Sequence, residues 1–377
     1  MRIVIAGAGI AGLTLAHRLV GHDVVVVDRS PAPRDQGYLI DFFGPGYDAA
    51  ERLGILPVLR ARSHVIDEAG YVDAEGRRVA GIGFGRLSAI LGGRLLSILR
   101  PDVERTLREA LPSGVDLRYG AAVVDVDNRA DGVTVRLSDD TVLHADLLVG
   151  ADGVHSTVRR LVFGDGHVRH LGFHTAAFSF TDPDVHARVA GRFRVTDTVD
   201  RLFGCYGLGR DRVTAFTVHR TPSTERPADP RAELRSVFAS AGWVVPRALE
   251  LCPADPYYDH VAQVVVPRWS RDRVVLVGDA AGAVSLIAGQ GASLAMGGAY
   301  LLADHLDDPP GFERAWRPVV DEKQLVGRSG ARWFLPSSPT RLWARRQALR
   351  LSRLPMVDRA VAHGMVGRPV SLETPIG

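Results

Sequence analysis

The chain has 377 residues, 46% of them apolar and 24% charged, which suits two domains, or one with an insertion, around a substantial core and excludes a disordered chain. Two cysteines, Cys205 and Cys252, exclude a disulfide scaffold and a cysteine-rich zinc site. The net charge of +3 belongs to residues 328–377, whose nine arginines face only Asp358 and Glu373, so the net-negative body leaves no basic footprint for nucleic acid.

Arg2–Ala6 is a β-branched run, followed by a glycine turn, an apolar-periodic segment at Ile10–Leu19 and a second apolar run at Val24–Asp28. The pattern predicts strand, tight turn, helix, strand: a βαβ unit whose parallel strands are covered on both faces. The first apolar run is broken by Gly7, Gly9 and Gly12 and passes into the second strand. It therefore reads as fold and not as a removable leader, and a cytoplasmic location is expected. Pro101–Leu111 predicts a helix with Pro in its first turn and Asp102 and Glu104 near its positive end. Val115–Tyr119 predicts a third parallel strand.

Val123–Asp127, Val133–Leu137 and Val142–His144, separated by polar turns, predict an antiparallel meander. Asp146–Gly150 is again a buried strand, with a helix from about His155 to Leu161. From Gly172 to Arg220 the pattern changes to alternating strands broken by polar turns, an antiparallel sheet lying between two parallel segments. Arg273–Gly278 returns to a buried strand, and Gly289–Leu306 predicts a long helix of small residues. The expected architecture is α/β: a Rossmann-like nucleotide-binding domain with an inserted antiparallel β-sheet domain and a C-terminal helix. The nucleotide-binding domain is discontinuous over 1–70, 95–170 and 270–325. The sheet domain covers 71–94 and 171–269, and the C-terminal helical segment 326–377.

Gly7-Ala8-Gly9-Ile10-Ala11-Gly12 lies where a strand ends and a helix begins. Gly7 permits the tight turn, Gly9 lacks the side chain that would block a pyrophosphate, and Gly12 lets the helix lie close on the sheet. The helix N-terminus offers free N–H groups to the anion. Asp28 ends the next strand, where a carboxylate accepts from ribose hydroxyls and repels a 2′-phosphate. Which dinucleotide is bound turns on two later segments. Ala151-Asp152-Gly153 follows one strand, with Ser156 and Arg159 on the next helix. Gly278-Asp279-Ala280-Ala281 follows another, and Gly289-Gln290-Gly291 opens a helix. An Asp at such a strand end can hold a ribityl hydroxyl. A fresh helix N-terminus favours negative charge on a reduced flavin ring.

Together these segments resemble the group A FAD-dependent aromatic hydroxylases, the para-hydroxybenzoate hydroxylase-like monooxygenases. Gly37–Gly44 is similar, more loosely, to tetracycline-inactivating and polyketide-tailoring flavin monooxygenases. The resemblance covers residues 1 to about 325 and implies a GR2-type FAD-binding domain. It places Gly7, Gly9 and Gly12 on the FAD pyrophosphate, Asp28 and Arg29 on the adenosine side, and Arg100 on the cofactor. It places Asp152 along the cofactor chain and Asp279 at the ribityl and pyrophosphate region, with Gly289 and Gly291 at the flavin. It further implies reduction of FAD by NADH or NADPH as a transient donor, reaction with O2 to a C4a-hydroperoxyflavin, and hydroxylation of an aromatic or polyketide-like substrate. Gly282 and Ser285-Leu286 depart from the family, which often has His and a Pro-Pro pair there.

The antiparallel sheet is expected to floor the substrate pocket, with Phe193, Phe203, Tyr206, Phe216 and His219 as aromatic candidates and Arg192 as an anchor. Asp41 is a candidate flavin-proximal carboxylate. No metal-ligand spacing occurs, and no metal is expected. Around Thr340–Ala362, Leu342, Leu349, Leu351, Leu354 and Val357 fall among six arginines. They predict an amphipathic helix that packs its apolar face on the FAD domain and solvates its arginines; the alternative is an anionic membrane surface. Two other functions stay open: a flavin-dependent reductase or dehydrogenase of the same fold, and a flavoprotein that binds an aromatic ligand without turnover. A monomer or homodimer suits either.

Overall fold

The computed structural model describes residues 1–33, 37–83, 85, 88–89, 91–286, 289–351 and 370–372. Strands β1 (Arg2–Ala6) and β2 (Asp23–Asp28) flank the helix Ile10–Arg18. There follow β3 (Leu39–Phe43), β4 (Glu68–Val72), β5 (Arg78–Gly83) and β6 (Leu95–Leu99). After the helix Arg100–Glu109 come β7 (Val115–Tyr119), β8 (Val123–Asn128), β9 (Val133–Leu137), β10 (Val142–Ala145) and β11 (Leu147–Gly150). The helix Thr157–Phe163 leads to β12 (Val168–Thr181), β13 (Arg192–Thr198), β14 (Arg201–Leu208) and β15 (Arg212–Arg220). The last strands are β16 (Tyr257–Val264), β17 (Ser270–Arg271) and β18 (Val274–Leu276).

The first sheet has six strands in the order β17-β18-β11-β1-β2-β7. All neighbours are parallel except β17 and β18. Its inner strands are near-continuous apolar runs, as strands covered on both faces require: Ile3, Val4, Ile5, Leu148, Val149 and Val274 are fully buried. The helices Ile10–Arg18 and Gly291–Leu302 and the meander β8–β10 share this core. The predicted helix Gly289–Leu306 begins two residues later than expected and stops at Leu302.

The second sheet has seven strands, β16-β12-β15-β14-β13-β4-β5. Its neighbours are antiparallel except β13 and β4, which run parallel. One face packs Phe178, Phe203, Cys205, Ala215 and Phe238 into a core closed by the helices Pro230–Val237 and Val245–Glu250. The other face carries Phe173, Val195, Leu202, Val218 and Val261, with Leu335 against them. β3 and β6 pair separately, Asp41 opposite Ser97. Among the described residues no helix is long and apolar enough to cross a membrane.

The C-terminal helices differ from the expected amphipathic arrangement. The helix Pro309–Phe334 runs straight through residue 326, and a second helix, Pro339–Leu351, docks on the seven-stranded sheet. Its Leu349 is buried under it, and arginines make its polar contacts. Arg345 pairs with Asp197, donates to the Phe334 carbonyl at 2.8 Å and lies 4.6 Å over the Tyr71 ring. Arg346 reaches Asp197 at 2.9 Å, and Arg350 donates to the Val79 carbonyl at 3.1 Å. Arg345 is thus buried and not solvated, because the buried Asp197 carboxylate needs a cationic partner. Leu354 and Val357 lie outside the described residues. Residues 370–372 lie against the helix Pro45–Arg52, where Asp48 accepts from Ser371 Oγ at 2.8 Å and Leu372 N–H at 2.9 Å.

Candidate functional site

The glycine loop holds three glycines for three reasons. Gly7 has φ +110°, and a Cβ there would stand 2.4 Å from the Ala151 carbonyl oxygen; at Gly12 it would stand 1.9 Å from Gly7 O. Both are close backbone packings between the β1 turn, β11 and the helix. A Cβ on Gly9 would meet only Glu104 Oε1, at 3.7 Å. The helix Ile10–Arg18 has no side-chain cap, so its first N–H groups are free for an anion beside Gly9. Asp28 braces the same loop. Its Oδ2 accepts from Ala8 N–H and its Oδ1 from Ser30 N–H, both at 2.8 Å. Arg29 beside it is exposed.

A line of charged groups continues from Gly9. Glu104, buried on the helix Arg100–Glu109, pairs with Arg100 at 2.9 Å. The Glu104 charge raises the Arg100 guanidinium, as do Tyr38, Tyr257 and Asp279. Burial pushes the Asp279 carboxyl up while Arg100 opposes and Asp259 adds to the shift. A Cβ on Gly291 would lie 3.9 Å from Asp279 Oδ1, so the start of the helix Gly291–Leu302 abuts that carboxylate. Gly278 touches Ala11 and Ala295, which joins the β18 end to both helices. Gly9, Asp28 and Asp279 therefore lie at the carboxyl ends of β1, β2 and β18, and Arg100, which follows β6 of the separate strand pair, interacts with both Glu104 and Asp279. Gly289 is exposed, with φ +66°.

Asp152 serves its own turn. Its carboxylate accepts from Ser156 Oγ and from the N–H groups of Thr157 at 2.7 Å and Val158 at 3.1 Å. That caps the helix Thr157–Phe163, while Arg159 ties it to the Ala280 carbonyl at 3.1 Å. Ser156 and Arg159 thus couple the Ala151-Asp152-Gly153 turn to the short helix Asp279–Gly282.

Asp41 is half-buried on β3, and Ser97 Oγ donates to it at 3.1 Å. Burial pushes its carboxyl up from 3.8 to about 6, the Ser97 bond opposing. A raised carboxyl pKa means that ionisation above about pH 6 is a cost borne by the folded state alone. Asp41→Asn should therefore stabilise the cofactor-free protein at pH 8 by up to ~2 kcal/mol, with the gain vanishing as pH falls towards 4. Urea unfolding at the two pH values reads this, and equal midpoints at pH 8 would refute the burial cost.

The second sheet divides the aromatic candidates by parity. Tyr206 and Phe216 share the face towards β3 with Phe193. Tyr206 Oη accepts from Leu39 N–H, Phe216 lies 5.5 Å from the Tyr38 ring, and Phe193 lies 5.8 Å from Tyr206. Tyr257 on β16 joins them, 5.9 Å from Tyr38. Burial pushes the Tyr38 hydroxyl up to about 12. Phe203 and His219 lie on the opposite face, packed against Phe238 at 5.3 and 6.2 Å. Each lies three residues from its pocket-side neighbour, and successive strand residues alternate faces. Strand parity was the signal that sorts them. Arg192 is exposed at the start of β13.

Sequence reasoning missed Glu104 as a site residue, and also Tyr257, Asp259 and its partner His155; from there a run of imidazoles leads to His219 on the opposite face of the sheet. His155 Nε2 lies 3.2 Å from Asp259 Oδ1. Burial pushes the Asp259 carboxyl up, but the His155 bond and charge and the His260 N–H hold it below the ordinary range. His260 meets His174 at 3.3 Å, and the Tyr258 hydroxyl bridges His174 and His219 at 2.9 and 3.3 Å. Burial, His174 and Arg201 lower His219 from 6.5 to about 4. The unfolded chain then binds the extra proton between these values, so stability falls as pH drops from 6.5 towards 4. His219 alone accounts for roughly 3 kcal/mol of that loss. His219→Asn should flatten this limb in urea midpoints taken from pH 7.5 to 4.5; an unchanged slope would exclude His219 as its source.

The fold and the relatives of this chain place it among the group A, aromatic-hydroxylase-like flavoprotein monooxygenases. More particularly, residues 1–309 match the FAD binding domain family, and the chain belongs to that family. An uncharacterized protein of Mycobacterium tuberculosis H37Rv is 33% identical over 323 residues, 81% of this chain and 84% of that protein. The 3-amino-4-hydroxybenzoate 2-monooxygenase PtnB3 of Streptomyces platensis is 31% identical over 98% of this chain and 97% of its own. Among crystal structures, the tetracycline destructase Tet(55) superposes with a TM-score of 0.82 and 25% identity, covering 99% of this chain and 98% of its own.

Proposed function

We propose that the protein is an FAD-dependent monooxygenase that uses NADH or NADPH and O2 to hydroxylate an aromatic or polyketide-like small molecule. The observation that carries this reading is the series Asp28, Gly9, Glu104, Arg100, Asp279 and Gly291, in which Arg100 also feels the charges of Tyr38 and Tyr257. The open backbone at Gly9 fits a pyrophosphate, where any larger residue would fill the cradle. In this reading Gly7, Gly9 and Gly12 shape the pyrophosphate site, Asp28 and Arg29 hold the adenosine, and Arg100 neutralises the phosphates. Asp279 holds the ribityl chain, and the helix start at Gly289–Gly291 stabilises charge on the flavin. Asp152 positions the Asp279 helix through Ser156 and Arg159. FAD, once bound, supplies the electron transfer and the oxygen activation.

The first sheet belongs to the FAD-binding domain, expected over 1–70, 95–170 and 270–325, and the second sheet, which takes residues 68–70 and 168–170 out of those ranges, forms the substrate wall. Tyr206 acts there mainly through Leu39, so Phe216, Tyr257 and Phe193 present the flat apolar surface. A planar substrate suits that surface. The relatives' names support the class: one acts on an aminohydroxybenzoate, and one structural neighbour is a tetracycline destructase. In this reading Asp41, whose carboxyl lies near 6, takes the proton of a substrate phenol at neutral pH.

The test uses purified protein loaded with FAD. NAD(P)H oxidation is measured with aminohydroxybenzoates, phenols, aromatic polyketides and tetracyclines, together with O2 uptake and product. Substrate-stimulated oxidation with one O2 consumed per hydroxylated product supports the reading. Product without O2 uptake assigns a reductase, and ligand binding without stimulated oxidation assigns a non-turning-over flavoprotein. Protein that takes up no FAD refutes all three.

A further inference from the structure

The segment Ala283–Ser285 follows the short helix Asp279–Gly282 and leads towards the Gly291 helix; the Val264 N–H donates to its Ala283 carbonyl at 3.1 Å, and two interlocked side-chain amides hold it further. Gln263, at the end of β16, donates from Nε2 to the Val284 carbonyl at 3.1 Å and to the Gln324 carbonyl at 2.8 Å. Gln324, on the helix Pro309–Phe334, donates from Nε2 to the Val264 carbonyl at 2.7 Å and to the Ala283 carbonyl at 3.0 Å. Each amide thus ties the other's strand or helix to the same short segment. Arg328 Nη1 donates to Gln263 Oε1 at 2.9 Å, which fixes the orientation of that amide. Gln263 is 0% and Gln324 4% exposed, so no water competes for these carbonyls.

Two further observations show that the segment's course is imposed on it. Ser285 has φ +80°, a left-handed backbone for a residue other than glycine, and is buried with its hydroxyl unpartnered among the described residues. Such a conformation persists only where its surroundings over-determine it. On the far side Gly327 presses close, since a Cβ there would lie 2.8 Å from the Val284 carbonyl oxygen and 3.1 Å from Ser285 Oγ. The Ser285 hydroxyl therefore faces the helix Pro309–Phe334.

We propose that Gln263 and Gln324 are positioning residues for the cofactor: their amides set the course of Ala283–Ser285 and, through it, the spacing between Asp279 and the helix start at Gly291. The clamp also ties that spacing to β16, which carries Tyr257 and Asp259 on the same strand as Gln263. Substrate wall and flavin helix then move as one unit. This inference rests on the flavin reading above.

The experiment compares Gln263→Leu, Gln324→Leu and Gly327→Ala with the parent, in FAD titrations by fluorescence and in the visible absorption and circular dichroism of bound flavin. Gly327→Ala keeps both amides but pushes on the Val284 carbonyl. Tyr258→Phe, which removes a buried hydroxyl on the far face of the sheet, controls for lost stability alone. Each of the first three should weaken FAD about tenfold and alter the bound-flavin spectrum: Gln263→Leu by stripping the Val284 carbonyl of its amide, Gln324→Leu by untying Ala283 from the helix, and Gly327→Ala by displacing the Val284 carbonyl. Tyr258→Phe should lower the urea midpoint and leave both flavin readouts unchanged. Folded variants that bind FAD within about twofold of the parent with an unaltered spectrum overturn the proposal. Should the leucine variants not fold, Gly327→Ala decides by the same criterion. A parent protein that takes no FAD overturns the flavin reading, and this inference with it.

Discussion

Gly9→Ala should leave the cofactor-free protein about as stable as the parent and weaken its FAD binding by on the order of 100-fold. The added methyl meets only Glu104 Oε1, at an ordinary 3.7 Å, and alanine at an uncapped helix start costs ~1 kcal/mol at most. A pyrophosphate, however, must approach that backbone to reach the helix N–H groups, and the methyl stands in its path. Gly12→Ala should behave in the opposite way. Its methyl would sit 1.9 Å from the Gly7 carbonyl oxygen. Backbone lies against backbone there, so the fold itself fails, at several kcal/mol. Urea unfolding without FAD, paired with FAD titration, separates the two effects. A Gly9→Ala protein that binds FAD as the parent does would place the pyrophosphate elsewhere.

Asp197→Ala should be the most damaging single change away from the cofactor. Asp197 and Arg345 have side chains each 2% exposed, and Arg346 shares the carboxylate. Removing the acid leaves a buried guanidinium without its counter-charge, a loss of about 3–5 kcal/mol. The helix Pro339–Leu351 should then detach from β5 and β13, which limited proteolysis would report as cleavage near Arg341–Arg350. High salt should scarcely change the parent's midpoint, because a desolvated pair is poorly screened. Loss no greater than that of the exposed ion-pair control Asp255→Ala would show that packing, not charge, holds the helix.

The parts of this molecule legible from sequence are those built from neighbours in sequence. β1, the glycine turn and the helix at Ile10 lie within one short stretch, and the strand-end carboxylates Asp28, Asp152 and Asp279 follow apolar runs that only a covered strand explains. The rest depends on distant pairing. Nothing local tells that Leu39–Phe43 lies beside Leu95–Leu99, and this pairing gives Asp41 its Ser97 partner. Pocket aromatics were chosen by residue type, although alternation alone prevents Phe203 from facing the same way as Tyr206. The arginine-rich C-terminus was misleading because an exposed-looking charge run hid Arg345, whose burial follows from Asp197, 148 residues earlier.

The last parallel strand of the first sheet comes from very late in the chain, since β18 pairs Val274 with Leu148. During synthesis on the ribosome, β11 must wait with one edge open while five strands of the seven-stranded sheet, β12 to β16, are translated. An unpaired apolar edge of that kind invites wrong pairing. Nascent chains arrested before residue 274 should accordingly be clients of chaperones, and circular permutation that brings β18 next to β11 should shorten that exposure.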